Sequence, residues 1–191
     1  QVSAIVKLAY ETGVAIVLRG QSTWGLGGSM PTNGGILLDM ASKMNNIVKV
    51  DTVNMSVRAQ AGTSWKAIID ACDKEGFLVG SYPSSFPSAT IGAWFSTSGI
   101  GPGGYKYGCA RDNALNMQVV LSDGTIIETG YDALANNMSG YNLNQLFGGA
   151  EGTLGVICEC TYRIYPKGII KPVAYEFDRL RDMGEPINAI C

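Results

Sequence analysis

Apolar residues along this chain fall into short runs of alternating type. Val2, Ile5, Val6 and Ala9 recur at the spacing of one helix face, and Gly13 stands where a helix commonly stops. Residues 14–18 (VAIVL) form a continuous apolar run, which predicts a buried strand. Residues 36–38 and 47–50 predict two more. After a turn at 51–54, Met55, Val57, Ala59 and Ala61 alternate with polar residues, the pattern of a strand covered on one face. Thr63 or Ser64 is placed to cap a helix reaching about Glu75, with Trp65, Ile68, Ile69 and Cys72 on one side and Gly76 as its stop. The character then changes. Residues 80–108 are rich in Ser, Pro and Gly, interrupted only by 90–95, and a loop of that length inside a compact domain usually has a function. Residues 115–121 and 125–128 flank Ser122-Asp123-Gly124, which predicts a hairpin. A short helix is expected at 142–147 and an alternating strand at 156–165, ended by Pro166. A further element is expected at 173–177, followed by a helix.

Composition narrows the function. The net charge is −2, with 14 basic and 16 acidic residues and no basic run, so neither nucleic acid nor an anionic membrane is an expected partner. No apolar run has the length of a transmembrane helix. Cys72, Cys109, Cys158, Cys160 and Cys191 are odd in number and irregularly spaced, and the chain has no histidine. A Cys/His zinc site is thereby excluded, no CxxC pair is present, and no metal site is expected. Reduced thiols fit a cytoplasmic protein, associated with a membrane only through partners. The chain starts at Gln1 inside a helical pattern and reads as a piece of a longer protein, so any targeting segment upstream would be invisible.

Glycine is the outlier. There are 25 in 191 residues, about twice the usual share, concentrated at 20–35, 92–108 and 148–155. Such clusters mark places where backbone must turn sharply or approach something closely. The first, Arg19-Gly20-Gln21-Ser22-Thr23-Trp24, follows a predicted strand and suits an anion-binding nest of backbone N–H groups and hydroxyls. It lacks the G-K-[ST] of a triphosphate loop and the G-x-G-x-x-G of a dinucleotide fold, so neither of those activities is expected.

Together the clusters carry a resemblance. L-R-G-Q-S-T-W-G-L-G-G, then P-S-S-F-P-S-A-T-I-G-A-W-F-S-T-S-G-I-G-P-G-G-Y-K-Y-G at 83–108, then L-F-G-G-A-E-G-T-L-G-V-I at 146–157, resemble in order and spacing the FAD-binding domain of the vanillyl-alcohol oxidase/p-cresol methylhydroxylase flavoprotein superfamily. The similarity is strongest to the branch containing D-lactate and glycolate dehydrogenases and alkylglycerone-phosphate synthase.

The resemblance implies an α+β fold of two lobes, one with a small mixed sheet and one with a larger antiparallel sheet. The lobes would be residues 1–76 and 77–170, with 171–191 beginning a substrate (cap) domain. It implies FAD bound through Arg19, Gly20, Gln21, Ser22, Thr23 and Trp24 at the pyrophosphate. Pro83, Ser84, Ser85, Thr90, Ile91 and Gly92 would line phosphates and flavin, and Thr97, Ser98, Gly99 and Ile100 would face the flavin. Tyr107 would lie near the cofactor, and Glu151, Gly152, Gly155 and Val156 near adenine and ribose. Relatives that tether flavin usually do so through histidine, so noncovalent FAD is expected here. The implied reaction is hydride transfer from a small 2-hydroxy acid to FAD, with an iron–sulfur or other electron-acceptor partner. The base and carboxylate-binding arginines are expected in the cap domain, so no catalytic residue is assigned and the chain alone is expected to turn over nothing. Two alternatives stay open, a flavin transferase of the alkylglycerone-phosphate synthase type and a non-catalytic electron-transfer subunit.

Overall fold

The computed structural model describes residues 1–190 except 132, 133, 135 and 136. The first helix, α1, spans Val2–Thr12, and Gly13 ends it in a left-handed conformation (φ 69°) that lets its N–H cap the last turn. Strands β1 (Ile16–Arg19) and β2 (Ile36–Asp39) pair in parallel, in register from Ile16 beside Ile36 to Arg19 beside Asp39. The small sheet is therefore two parallel strands. Every β1 residue is only half-buried, which corrects the expectation of a buried strand at 14–18. A two-stranded sheet has no strand on its outer edges to complete the cover.

The larger sheet is antiparallel. Its order is β3 (Ile47–Asp51), β4 (Ser56–Gln60), β8 (Val156–Pro166), β6 (Ala114–Val120) and β7 (Ile126–Glu128), while β5 (Phe77–Val79) pairs the far end of β8. Strands β3 and β4, which the sequence groups within residues 1–76, are hydrogen-bonded into this larger sheet. The β6–β7 hairpin turns where expected, with Gly124 at φ 86° and the Asp123 carboxylate accepting the Thr125 N–H at 2.8 Å. Ser3 of α1 donates to the Gly124 carbonyl at 2.6 Å and ties the turn to the first helix.

Helix α2 (Trp65–Lys74) starts at Ser64, whose hydroxyl accepts the Ala67 N–H at 3.2 Å. Its apolar face lies against the sheet. There Trp65, Ile68 and Cys72 join Phe95 of α3 (Ile91–Ser96) and Val57, Ala59, Met117, Cys160 and Tyr162 of the strands, all fully buried. The rings of Trp65 and Tyr162 meet edge to face at 5.1 Å, and the Tyr162 hydroxyl donates to the Ser81 carbonyl at 2.7 Å. Burial pushes that phenol well above its ordinary pKa, so it stays a neutral donor. The other sheet face is polar, and Arg58 bridges Glu159 at 2.7 Å and Glu128 at 3.2 Å.

Within 80–108 a four-residue helix, α4 (Gly104–Tyr107), forms besides α3. Helix α5 covers Leu143–Phe147. No strand forms at 173–177; that stretch has no regular structure, and the chain closes with a 3-10 turn at Leu180–Met183 and helix α6 (Gly184–Ile190). Val173, Tyr175 and Phe177 do alternate, but residues 173–176 are exposed and no strand among the described residues pairs with them. Among the described residues no helix is long and apolar enough to cross a membrane.

Candidate functional site

The three glycine-rich stretches meet at the C-terminal end of β1. Gly20 lies on α3, where a Cβ would overlap the Thr90 hydroxyl and come within 3.2 Å of Ala93 Cβ. Only glycine lets the first stretch approach this closely. Three residues on, the Ser85 hydroxyl donates to Thr23 Oγ1 at 3.5 Å, a second contact between the first and second stretches. The third stretch is strapped to the end of α3 by the Gly149 N–H on the Phe95 carbonyl (3.0 Å) and the Glu151 N–H on the Ser96 carbonyl (2.9 Å). It also touches the first, since Gly152 (φ 82°) sits so that a Cβ would be 3.0 Å from the Leu18 side chain.

Among the described residues, four non-glycine residues have positive φ, and Ser22, Ser98 and Glu151 place one in each stretch; the fourth, Met55, is in a turn. Backbone strain of this kind concentrates at ligand sites. Among the described residues, the N–H groups of 21–28 make no hydrogen bond within the protein, and residues 21–28 are exposed. They are solvated donors at the end of a strand, the arrangement that favours an anion.

Arg19, the one cation in the first stretch, is held by Asp39 at 2.6 Å across the two parallel strands. That guanidinium keeps the Asp39 carboxyl below its ordinary pKa. The pair is nearly neutral, which leaves anion binding to the backbone. Beyond it the loop folds over a cleft of about 330 Å³, lined by Arg19, Ser22, Ser29 and Thr32 together with Met30 and Leu37. Ser22 and Ser29 hydroxyls are joined at 2.8 Å.

Other residues singled out by the sequence are distributed differently. Ile91 and Gly92 donate their N–H groups to the Thr63 and Ala61 carbonyls, at 3.0 and 2.8 Å, so these amides already serve the β4–α2 connection. Pro83 is buried, Ser84 is exposed, and the Thr97 hydroxyl bonds back to the Ala93 carbonyl. Gln21 and Trp24 are exposed, as is Ile100. Tyr107 packs its ring on Tyr165 at 4.5 Å and over Gly80, a packing role. Gly155 fits against Val119 and Val120, and Val156 is buried in the core as the first residue of β8.

Three residues at the site were not singled out. Asp39 had a signal, because I-V-L-R and I-L-L-D align when the strands are set in parallel register. Ser81 and Trp94 carried none. The Ser81 and Thr90 hydroxyls and the Trp94 indole N–H are buried without a hydrogen-bond partner, and two of these three lie at the N-cap (Thr90) and within (Trp94) α3, which Gly20 and Gly149 both contact. No group of His, Cys, Asp and Glu among the described residues is arranged to hold a metal ion. Burial pushes the Cys72 thiol up to about 12 and Cys158 up to about 11, and Cys160 well above its ordinary value, so none serves as a nucleophile near neutral pH.

Comparison with known proteins agrees with this geometry. The chain is 36% identical over 185 residues to a mitochondrial D-lactate dehydrogenase [cytochrome] 1 of Saccharomyces cerevisiae, covering 95% of this chain and 31% of that protein. It is 38% identical over 167 residues to the glycolate oxidase subunit GlcD of Bacillus subtilis, covering 87% and 35%. It thus spans about a third of the length of these relatives. Among solved structures, an alkyldihydroxyacetonephosphate synthase superposes with a TM-score of 0.73 at 26% identity, over 86% of this chain and 32% of that one. The model of the FAD binding domain family matches residues 1–130, and the chain belongs to that family.

Proposed function

We propose that this chain is the cofactor-holding part of a flavin-dependent 2-hydroxy-acid dehydrogenase or oxidase, with FAD bound noncovalently. The observation that carries the reading is the meeting of three strained, glycine-rich stretches around Gly20 and Thr90, with the loop amides of 21–28 unspent. The residues fit a dinucleotide. Exposed N–H groups with the Ser22 and Thr23 hydroxyls would receive its pyrophosphate. Residues 97–100 would face the ring system, and Glu151 and Gly152 would bound the remaining side. Bound FAD supplies a hydride acceptor for oxidation of a carbinol carbon. The protein's share is to hold that acceptor still, exclude water on the α3 side, and present one face to substrate.

Several residues take supporting roles. Ile91, Gly92, Gly155 and Val156 shape the walls by packing, since their amides or side chains are engaged in the fold. Arg19 orients the loop through Asp39. The absence of histidine removes the usual tethering residue. The substrate class rests on the names of the relatives, and the acceptor partner, the lobe boundaries and a cytoplasmic location are parts of the same proposal.

The test is reconstitution of the purified chain with FAD, followed by a visible spectrum and acid precipitation. A yellow protein that releases all its flavin to the supernatant is expected. A colourless protein, or flavin retained in the pellet, overturns the cofactor reading or its noncovalent form respectively. A second reading, a transferase acting on a lipid precursor, is favoured by the superposed synthase. Dye reduction by a 2-hydroxy acid in the full-length protein decides between the two.

A further inference from the structure

We propose that Trp94 is a positioning residue whose indole forms the platform under residues 99–101 and thereby sets the position of the bound flavin. The proposal rests on the FAD reading above. A Cβ at Gly99 would overlap the six-membered ring of Trp94 and lie 2.7 Å from its Cδ2, and a Cβ at Gly101 would lie 3.3 Å from its Cη2. Both glycines of this loop thus bring their backbone against the same ring, Gly101 being held as well by the Tyr82 carbonyl, which a Cβ there would overlap. The Gly99 N–H donates to the Trp94 carbonyl at 3.0 Å, and the Gly99 carbonyl accepts the Ala110 N–H at 2.8 Å. Ser98, between helix and platform, is forced to φ 49°.

The platform is itself anchored. Trp65, fully buried, meets Trp94 edge to face at 6.3 Å and meets Tyr162 of the central strand at 5.1 Å. A rigid line of rings thus runs from the middle of the large sheet to the underside of the loop. The residue four before Trp94, Thr90, supports Gly20 in the same way, so one face of α3 supports both the first stretch and the flavin-side loop. The indole N–H is buried without an acceptor, so its ring, rather than its donor, accounts for its placement.

This role gives a compensation that a general packing role would not. Trp94→Leu removes the platform and lets the loop sink. Gly99→Ala drives a methyl into the ring and lifts it. Each single variant is expected to weaken FAD binding about tenfold in a flavin-fluorescence titration and to shift the visible flavin band, with the far-ultraviolet circular dichroism unchanged. In the double variant the methyl enters the space the indole leaves, so affinity and band position recover toward the parent. Trp94→Phe, which keeps a six-membered ring, is expected to fall between parent and leucine variant. The proposal is overturned if the single variants bind FAD with parental affinity and spectrum, or if the double variant is as weak as the sum of the two. A parent chain that binds no FAD overturns the cofactor reading instead, and this one with it.

Discussion

The large sheet with α2 and α3 and the small sheet with its loops are built on opposite terms. In the first, Trp65, Phe95, Met117, Cys160 and Tyr162 are fully buried, and the aromatic rings interlock from helix to helix to strand. In the second, no residue of β1 or β2 is fully buried and residues 21–28 are exposed. The difference separates stability from binding. Dense packing holds α3 in place, and α3 in turn offers its Thr90 and Trp94 face to loops that contribute little to the core but carry the unspent donors.

That contrast can be broken most forcefully from the core. Trp65→Ala is expected to cost about 3–5 kcal/mol, read as a lowered urea midpoint, because it removes the ring joining Trp94 and Tyr162. A near-parental midpoint would show that the two regions do not differ as described. The reciprocal change is Gly20→Val, which puts a branched side chain into the Thr90 hydroxyl and Ala93. It is expected to weaken FAD binding more than about tenfold while leaving the far-ultraviolet spectrum intact. An equal loss of fold and binding would merge the two regions into one.

A smaller effect concerns the small sheet alone. Asp39 has a folded pKa lowered by Arg19, so its contribution is fully present above the ordinary aspartate value of 3.8 and is lost as pH falls through the folded value. Asp39→Asn should therefore be less stable than the parent at neutral pH, with the gap closing in acid. A gap that stays constant or widens as the pH falls from neutral through the acid range would remove Asp39 as its source. The smallest expected effect is chemical. Cys72, Cys158 and Cys160 should resist a thiol reagent at pH 7.5 until denaturant is added, because burial keeps them protonated. Labelling of any of the three in the native protein would show that the large sheet opens more easily than its packing implies. Cys191 lies outside the described residues and needs a separate control.

The sequence by itself determined the periodic elements and the meeting parts. Apolar spacing marked α1 and α2, alternation marked β4 and β8, and Asp123-Gly124 marked the hairpin, because period and turn chemistry are local properties of the chain. The glycine clusters marked all three stretches of the site, since positive φ and close approach leave a compositional trace. Tertiary structure decided what each residue's partner is. Which carbonyls take the Ile91 and Gly92 amides, which carboxylate holds Arg19, and which ring lies beneath Gly99 depend on segments far apart in the chain. A pattern can say that a face is apolar or a loop is tight. Only the packed chain settles what covers the one and what the other rests on, because those contacts join residues whose spacing in sequence carries no information about their distance in space.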